Sequence, residues 1–148
     1  MALMDLIKQR HSVRQYQARP VEHEKLALCL EAARLAPSAC NAQPWRFVVV
    51  DEPETLRRLG AAAFGGIYVM DFPRAAPVIV AVVMEASPKV RAGGALRQTR
   101  FELLDLGIAG EHFVLQATEL GLGVCWIGWF NEAGVKKVLG IPRGKRVP

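Results

Sequence analysis

Residues 100–120 constrain the fold more than any other stretch, because their pattern predicts a long helix that is apolar on almost every side. At helical spacing, its apolar residues spread around the circumference: Phe101, Leu104, Ile108, Phe113, Leu115, Ala117 and Leu120 among them. A helix of this kind must be buried on every side. The chain has 148 residues, the size of one ordinary domain. We therefore expect this helix to be shared with a second subunit.

The rest of the chain predicts helices and short strands in alternation. Further helices are expected at 3–9, at 22–35, at 54–63 and between Asn131 and Gly140. Strands are expected at 46–51, 78–84 and 124–130. The polar, glycine-bearing stretch 85–99 predicts a loop or a mobile lid. The resulting order, ααβαβαβα, indicates helices that flank a small sheet in an α/β-type layer arrangement.

Composition and charge argue against several classes of protein. The apolar runs are too short to span a bilayer, and the N-terminus lacks a signal-peptide pattern. Three cysteines without CxxC spacing predict a reducing cytoplasm rather than disulfides or a zinc site. The formal net charge of +5 would suit an anion, but the 19 Lys and Arg are scattered, often beside acids. We expect no membrane or nucleic-acid partner, and the arginines favour a small phosphorylated ligand.

Common catalytic motifs are absent from the sequence. There is no GxGxxG after a strand, no GxxxxGK[ST], no HExxH and no GxSxG. The three histidines are isolated from one another, and the acidic residues do not pair convincingly. We therefore assign no catalytic acid or base and expect no metal. If the chain is an enzyme, a cofactor supplies the reactivity.

The stretch "QRHSVRQY" is the first candidate for holding such a cofactor. It places Arg10, Ser12 and Arg14 at alternating positions, which share one face when the backbone is extended. Two guanidinium groups and a hydroxyl on one face suit a phosphate and its polar chain. The alternative is a helix that ends in basic residues because they suit the negative end of its dipole.

The loop "LAPSACNAQPWRF" and the segment "GLGVCWIGWF" are the other candidates. In the loop, Pro37 stops a helix, so that Ser38, Asn41 and Gln43 can point polar groups at the edge of a flat ligand. In the segment, Gly128 allows close approach of the backbone. The alternatives are a long turn for the loop, and core or interface packing for the two tryptophans of the segment.

Together these stretches resemble the nitroreductase family of FMN-dependent oxidoreductases. The matching pieces follow the family's order over most of the chain: "RHSVRQY", "PV" at 20 and 21, "LEAARLAPSACNAQPWRFVVV", "DLGIAGEHFVLQATELGLGVCWIGWF" and "LGIP". The resemblance implies a single α+β domain over 1–148, a three-layer sandwich whose small mixed or antiparallel sheet is flanked by helices. It also implies an intertwined homodimer with FMN at the subunit interface.

The resemblance also assigns site residues, in three groups. The phosphate and ribityl chain fall to Arg10, His11, Ser12 and Arg14, and His11 stands where many members carry a second arginine. The wall along the flavin falls to Pro37, Ser38, Ala39, Asn41 and Gln43. A backbone N–H that faces flavin N5 from the partner chain falls around Ile127 and Gly128. Arg14 is our candidate for the cation that tunes the flavin.

The implied activity is hydride transfer from NADH or NADPH, through flavin N5, to nitroaromatic, quinone or related acceptors by a ping-pong mechanism. Other flavin reactions of the family (dehalogenase, dehydrogenase or flavin-cleaving), a low-turnover flavin-binding or redox-sensing module, and an anion-binding protein stay open. Family members usually continue past "GIP" into another strand and a basic tail, whereas this sequence stops at "RGKRVP". We expect either that Arg143, Lys145 and Arg146 partly substitute for that tail, or that the sequence is a truncated form.

Overall fold

A computed structural model describes residues 2–85 and 87–148. Its helices are α1 (Leu3–Gln9), α2 (His23–Arg34), α3 (Pro53–Ala63), α4 (Pro88–Arg97), α5 (Phe101–Glu119) and α6 (Glu132–Leu139). Its strands are β1 (Trp45–Val50) and β2 (Ile79–Met84), and short 3-10 turns cover Ala39–Asn41, Gly66–Tyr68 and Phe72–Ala75. The five helices and the first two strands expected from the sequence are confirmed to within one or two residues.

Helix ends form where the local sequence supplies a capping group. The Glu52 carboxylate accepts hydrogen bonds from the N–H groups of Glu54 and Thr55 at the start of α3. The Asn131 side chain accepts one from Gly134 N–H, 3.1 Å away, at the start of α6. Gly140 ends α6 in the left-handed conformation at φ +65°, which glycine adopts without steric cost. Asn131 and Gly140 therefore bound this helix as predicted.

Strands β1 and β2 pair antiparallel, in a register that runs from Trp45 opposite Met84 to Val50 opposite Ile79. Side chains alternate between the two faces of this sheet. Val48, Val50 and Val83 pack on the cluster that includes α3 and α6 residues. Phe47 and Val80 pack on the cluster formed by α2 and α5. The sheet therefore separates two helical layers, and the predicted three-layer α+β sandwich is confirmed.

The strand expected at 124–130 is wrong. Val124 forms a single parallel bridge with Ser12, and the rest of the segment is irregular. The β-branched and aromatic content of the segment predicted a strand, but a strand also needs a continuous neighbour. Among the described residues, Ser12 alone forms a β-bridge with this segment, and the pairing stops there.

The loop or lid expected at 85–99 is also wrong over most of its length, because it contains α4. Pro88 occupies the first turn of α4, where its missing N–H does no harm. Gln98 ends the helix in the left-handed conformation, at φ 52°. The polar residues and two glycines of this stretch favoured a loop in the sequence analysis. Pro88 and Gln98 mark the two ends of the helix. Ala86 falls in this stretch and lies outside the described residues.

Helix α5 is not covered on all sides within the described residues. Its buried side chains include Leu106, Phe113 and Val114. Leu104 is 57% exposed, and Leu103 and Ile108 are 37% and 39% exposed. One chain therefore leaves an apolar side of α5 open, as the burial argument from the sequence expects. In the described part of the chain, α5 and the other helices are all too short or too polar to cross a membrane.

Candidate cofactor site

The basic segment 10–14 leaves α1 with an extended backbone at Arg10. The Arg10 guanidinium lies 3.9 Å from the Glu111 carboxylate, and Arg10 is half-buried. Ser12 and Arg14 are exposed, and the Arg14 guanidinium lies 5.9 Å from the centre of the Phe72 ring. A cation over an aromatic ring at an exposed site gains only about 0.5–1 kcal/mol. Arg14 is therefore loosely placed and can turn towards an anion.

The segment 10–14 is fixed against the segment 122–128 by backbone contacts. Val13 N–H donates to the Val124 carbonyl over 3.0 Å, beside the bridge formed by Ser12. A Cβ on Gly123 would lie 2.9 Å from a methyl carbon of Val13. A glycine at this position lets the two segments approach each other.

The loop at 37–43 has an unusual backbone. Cys40, Asn41 and Gln43 have φ values of 54°, 52° and 46°, in the left-handed region that favours glycine. Non-glycine residues held there cost of order 1–3 kcal/mol each, and they cluster at binding and catalytic sites. Ser38 braces the loop, because its Oγ accepts the Gln43 N–H over 2.9 Å. Strain in this loop supports the ligand-holding interpretation over the plain turn.

Asp105 of α5 holds the loop by a hydrogen bond, and the sequence analysis did not predict this role. Both carboxylate oxygens accept the Ala39 N–H at 3.1 Å, and Asp105 is only 5% exposed. The available signal was an acidic residue inside a stretch that is otherwise nearly apolar. That signal could not identify its partner, since Ala39 lies 66 positions earlier in the chain.

The segment around Ile127 and Gly128 is split between the core and the surface. Trp126 lies against Gly110 of α5, where a Cβ would overlap the indole ring. Ile127 packs on the cluster between the sheet and α3 and α6. Gly128 is exposed, and a Cβ there would meet nothing within 4 Å. The close approach expected at Gly128 therefore has no partner within the described part of this chain.

Helix α5 contacts each of the three predicted segments. Asp105, Gly110 and Glu111 each contact one of them. These contacts run from residue 105 to residue 111, or about 9 Å along the helix axis. Segments that are far apart in the sequence thus share one helix as their support.

Of the predicted site residues, Ile127 and Gly128 line a cavity in the described part of the chain. This cavity measures about 780 Å³, and its mainly apolar lining also includes Val13. Its lining contains none of Arg10, Ser12, Arg14 or the residues of 37–43. A ligand held by those residues would stay open on one side.

The exposed groups of the three segments fit a flat, phosphorylated ligand. Arg14 and Ser12 offer a cation and a hydroxyl for a phosphate and its polar chain, and Asn41 and Gln43 carry exposed amides. Within residues 2–85 and 87–148, no group of three or more His, Cys, Asp or Glu side chains is placed to hold a metal ion.

Tyr16, next to the basic segment, has an altered pKa. Burial raises the pKa of its phenol, the neighbouring Cys125 adds to this, and the positive charge of Arg14 opposes it. The hydroxyl donates to the Val13 carbonyl over 2.9 Å. Tyr16 therefore remains protonated near neutral pH and supports the segment as a hydrogen-bond donor.

Comparison with known proteins identifies the family. The model of the nitroreductase family matches residues 7–70 and 68–147, and the chain belongs to this family of oxidoreductases. A Methanothermobacter thermautotrophicus protein, whose name combines NADH dehydrogenase and NAD(P)H nitroreductase, is 33% identical over 146 residues. The match covers 96% of this chain and 71% of the relative. The resemblance stated from the sequence motifs is confirmed.

Solved structures agree with this assignment. A nitroreductase family protein from Clostridium novyi superposes with a TM-score of 0.86 at 31% identity, over 99% of this chain and 80% of its own. An FMN-dependent nitroreductase from Clostridium difficile gives a TM-score of 0.76 at 30% identity, over 98% and 82%. The fold described above is therefore the nitroreductase fold.

Proposed function

We propose that this chain is an FMN-dependent reductase that takes hydride from NADH or NADPH and passes it to nitroaromatic, quinone or related acceptors by a ping-pong mechanism. The observation that carries the proposal is that α5 supports the basic segment, the strained loop and the 126–128 segment, each by its own contact. FMN, if bound there, would supply the hydride chemistry. Binding and orientation are then the work of the protein, which needs no acid–base pair of its own.

The basic segment would hold the phosphate end of the cofactor. Arg10, Ser12 and Arg14 supply charge-assisted and hydroxyl hydrogen bonds to a phosphate and a polar chain, and His11 lies among them. Arg14 would also stabilise negative charge on the reduced ring, because a nearby cation favours an anionic form. Its loose contact with the Phe72 ring leaves it free to do so.

The strained loop would form the wall beside the ring system. Ser38, Asn41 and Gln43 would meet its polar edge, while Pro37 and Ala39 allow close approach of the backbone. The N–H groups near Ile127 and Gly128 would face N5 of the cofactor bound mainly by the other subunit. The open side of the predicted site and the exposed apolar side of α5 both support this homodimer.

The purified protein tests the main proposal directly. We expect a yellow preparation with a flavin absorption spectrum that NADH or NADPH bleaches and that a quinone or nitroaromatic restores with turnover. A colourless protein that FMN cannot reconstitute would overturn the proposal. Flavin binding without turnover would support the redox-sensing alternative, and destruction of the flavin during turnover would support flavin-cleaving chemistry.

The role of Arg14 has its own test. Arg14→Ala should lower the flavin reduction potential, because the reduced anion loses a neighbouring cation. Arg19→Ala is the matched control, since Arg19 is an exposed arginine that pairs with Glu22 at 3.8 Å. An unchanged potential in Arg14→Ala would show that another group stabilises the reduced ring.

A cytoplasmic location remains a prediction from the cysteines.

A further inference from the structure

Asp105 is a buried carboxylate whose position in α5 asks for an explanation. Only 5% of the residue is exposed, and its neighbours in the helix are mostly apolar. Within the described residues, no Lys, Arg or His nitrogen lies within 4.0 Å of its oxygens. Removing a carboxylate from water is expensive unless charges or hydrogen bonds compensate it. A single backbone N–H is little compensation, so stability alone does not account for this residue.

Within the described residues, the one hydrogen-bond donor to the Asp105 carboxylate is the Ala39 N–H, at the start of the strained part of the loop. Ala39 begins the 3-10 turn, and its N–H is one of the donors that a helical turn leaves without an internal partner. Cys40 and Asn41, both left-handed, follow at once. Strained backbone of this kind persists only where the surroundings over-determine it. The contact from Asp105 provides such a constraint from a rigid helix.

We propose that Asp105 is a positioning residue of the flavin site, which holds the loop 37–43 in its strained conformation through the Ala39 N–H. Asp105 acts on the cofactor through the loop, because the Ala39 N–H that it holds lies between Ser38 and Asn41. The inference rests on the proposed function in so far as the loop contacts FMN. The contact between Asp105 and the loop does not depend on it.

Glu102 provides a matched control in the same helix. It is 6% exposed, lies one turn before Asp105, and its carboxylate is 3.6 Å from the Arg100 guanidinium. No hydrogen bond joins its side chain to the loop in the described part of the chain. Glu102→Gln therefore removes a buried negative charge from α5 without removing the contact to Ala39.

The experiment compares Asp105→Asn, Asp105→Leu and Glu102→Gln with the unchanged protein. Asn keeps the shape and one acceptor oxygen, whereas Leu removes the acceptor. FMN binding is followed by the quenching of its fluorescence, the bound flavin by its absorption spectrum, and the loop by hydrogen exchange at the Ala39 amide. We expect the FMN Kd to rise about tenfold or more in Asp105→Leu and about two- to fivefold in Asp105→Asn. Glu102→Gln should stay within about twofold of the unchanged protein.

Exchange at the Ala39 amide should accelerate in the same order, and the flavin spectrum should shift only in the Asp105 variants. Equal effects of Glu102→Gln and the Asp105 variants, or an unchanged Ala39 exchange rate, would overturn the inference. If Asp105→Leu does not fold, the comparison of Asp105→Asn with Glu102→Gln decides. If the unchanged protein binds no FMN, the proposed function fails, while the exchange rates still decide whether Asp105 holds the loop.

Discussion

At the scale of single residues, the contact between Gly110 and Trp126 depends on a missing side chain. The indole ring occupies the space that a Cβ on Gly110 would fill. This contact fixes the start of the segment that carries Ile127 and Gly128. Gly110 therefore serves the candidate site through packing and not through backbone freedom, since it lies inside α5.

Gly110→Ala should destabilise the protein, with Gly93→Ala as its control. Overpacking of this kind typically costs about 1–3 kcal/mol, while the higher helix propensity of alanine returns up to about 1 kcal/mol. Gly93 lies inside α4, and a Cβ added there would meet nothing within 4 Å, so its substitution should be neutral or stabilising. Urea unfolding measures both free energies. Equal values for the two variants would contradict the packing contact.

Residues with local roles could be predicted from the sequence, whereas residues with distant partners could not. Asn131 and Gly140 bound α6 because a cap acts within about four residues of the helix end. Cys29 of α2 lies in the core, where burial raises the pKa of its thiol to about 11. Asp105 owes its role to Ala39, 66 positions away, and no spacing rule indicates such a pair.

At the scale of elements, the first turn of α6 fixes the segment 146–147. The Glu132 carboxylate accepts hydrogen bonds from Val147 N–H and Arg146 Nε, both at 2.9 Å, and pairs with Lys136 Nζ at 2.9 Å. Burial alone would raise the pKa of Glu132, but these bonds lower it to about 2. The same segment bridges to β2, where Arg146 pairs with Met84. Glu132 therefore connects α6 to the edge of the sheet.

Glu132→Gln should weaken this connection and change the acid stability of the protein. The folded-state pKa of about 2 lies below the ordinary 4.5, so the stabilisation is complete above pH 4.5 and is lost as the pH falls towards 2. We expect the substitution to lower the free energy of unfolding by about 1–2 kcal/mol at pH 7, and this difference should shrink as the pH falls through this window. Denaturant unfolding between pH 2 and 7 gives the difference from the unchanged protein.

Glu54→Gln is the control for this prediction. Glu54 forms an exposed pair with Arg57 at 2.7 Å within α3. Exposed pairs of this kind contribute little to stability because solvent screens them, so the control should change little at any pH. If Glu132→Gln behaves like Glu54→Gln, Glu132 does not anchor the segment 146–147.

At the scale of the whole molecule, the exposed apolar side of α5 is a surface that a single chain leaves uncovered. Leu103, Leu104 and Ile108 lie on it, and the predicted site residues of the same chain stay open on one side. A second subunit that covers this side would bury the apolar residues and close the site. The homodimer in the proposed function accounts for both observations.

Leu104→Glu should therefore convert the proposed dimer into monomers and weaken FMN binding with it. A buried glutamate without a partner opposes association strongly, and the flavin would lose the contacts from the other subunit. Sedimentation velocity measures the assembly, and flavin fluorescence measures the binding. Leu96→Glu is the control, because Leu96 is 87% exposed on α4 and should affect neither. A dimer that survives Leu104→Glu would place the interface elsewhere.

The sequence alone determined the helices other than α4, the two paired strands, the faces they bury and the uncovered side of α5. These features follow from residues a few positions apart, through side-chain periodicity and capping. The tertiary structure decided that 124–130 is not a strand, that the loop 37–43 is left-handed at three positions, and that Asp105 and Gly110 support the candidate site. These features depend on which distant segment of the chain lies next to each residue, and only the packing of the folded chain determines that neighbour.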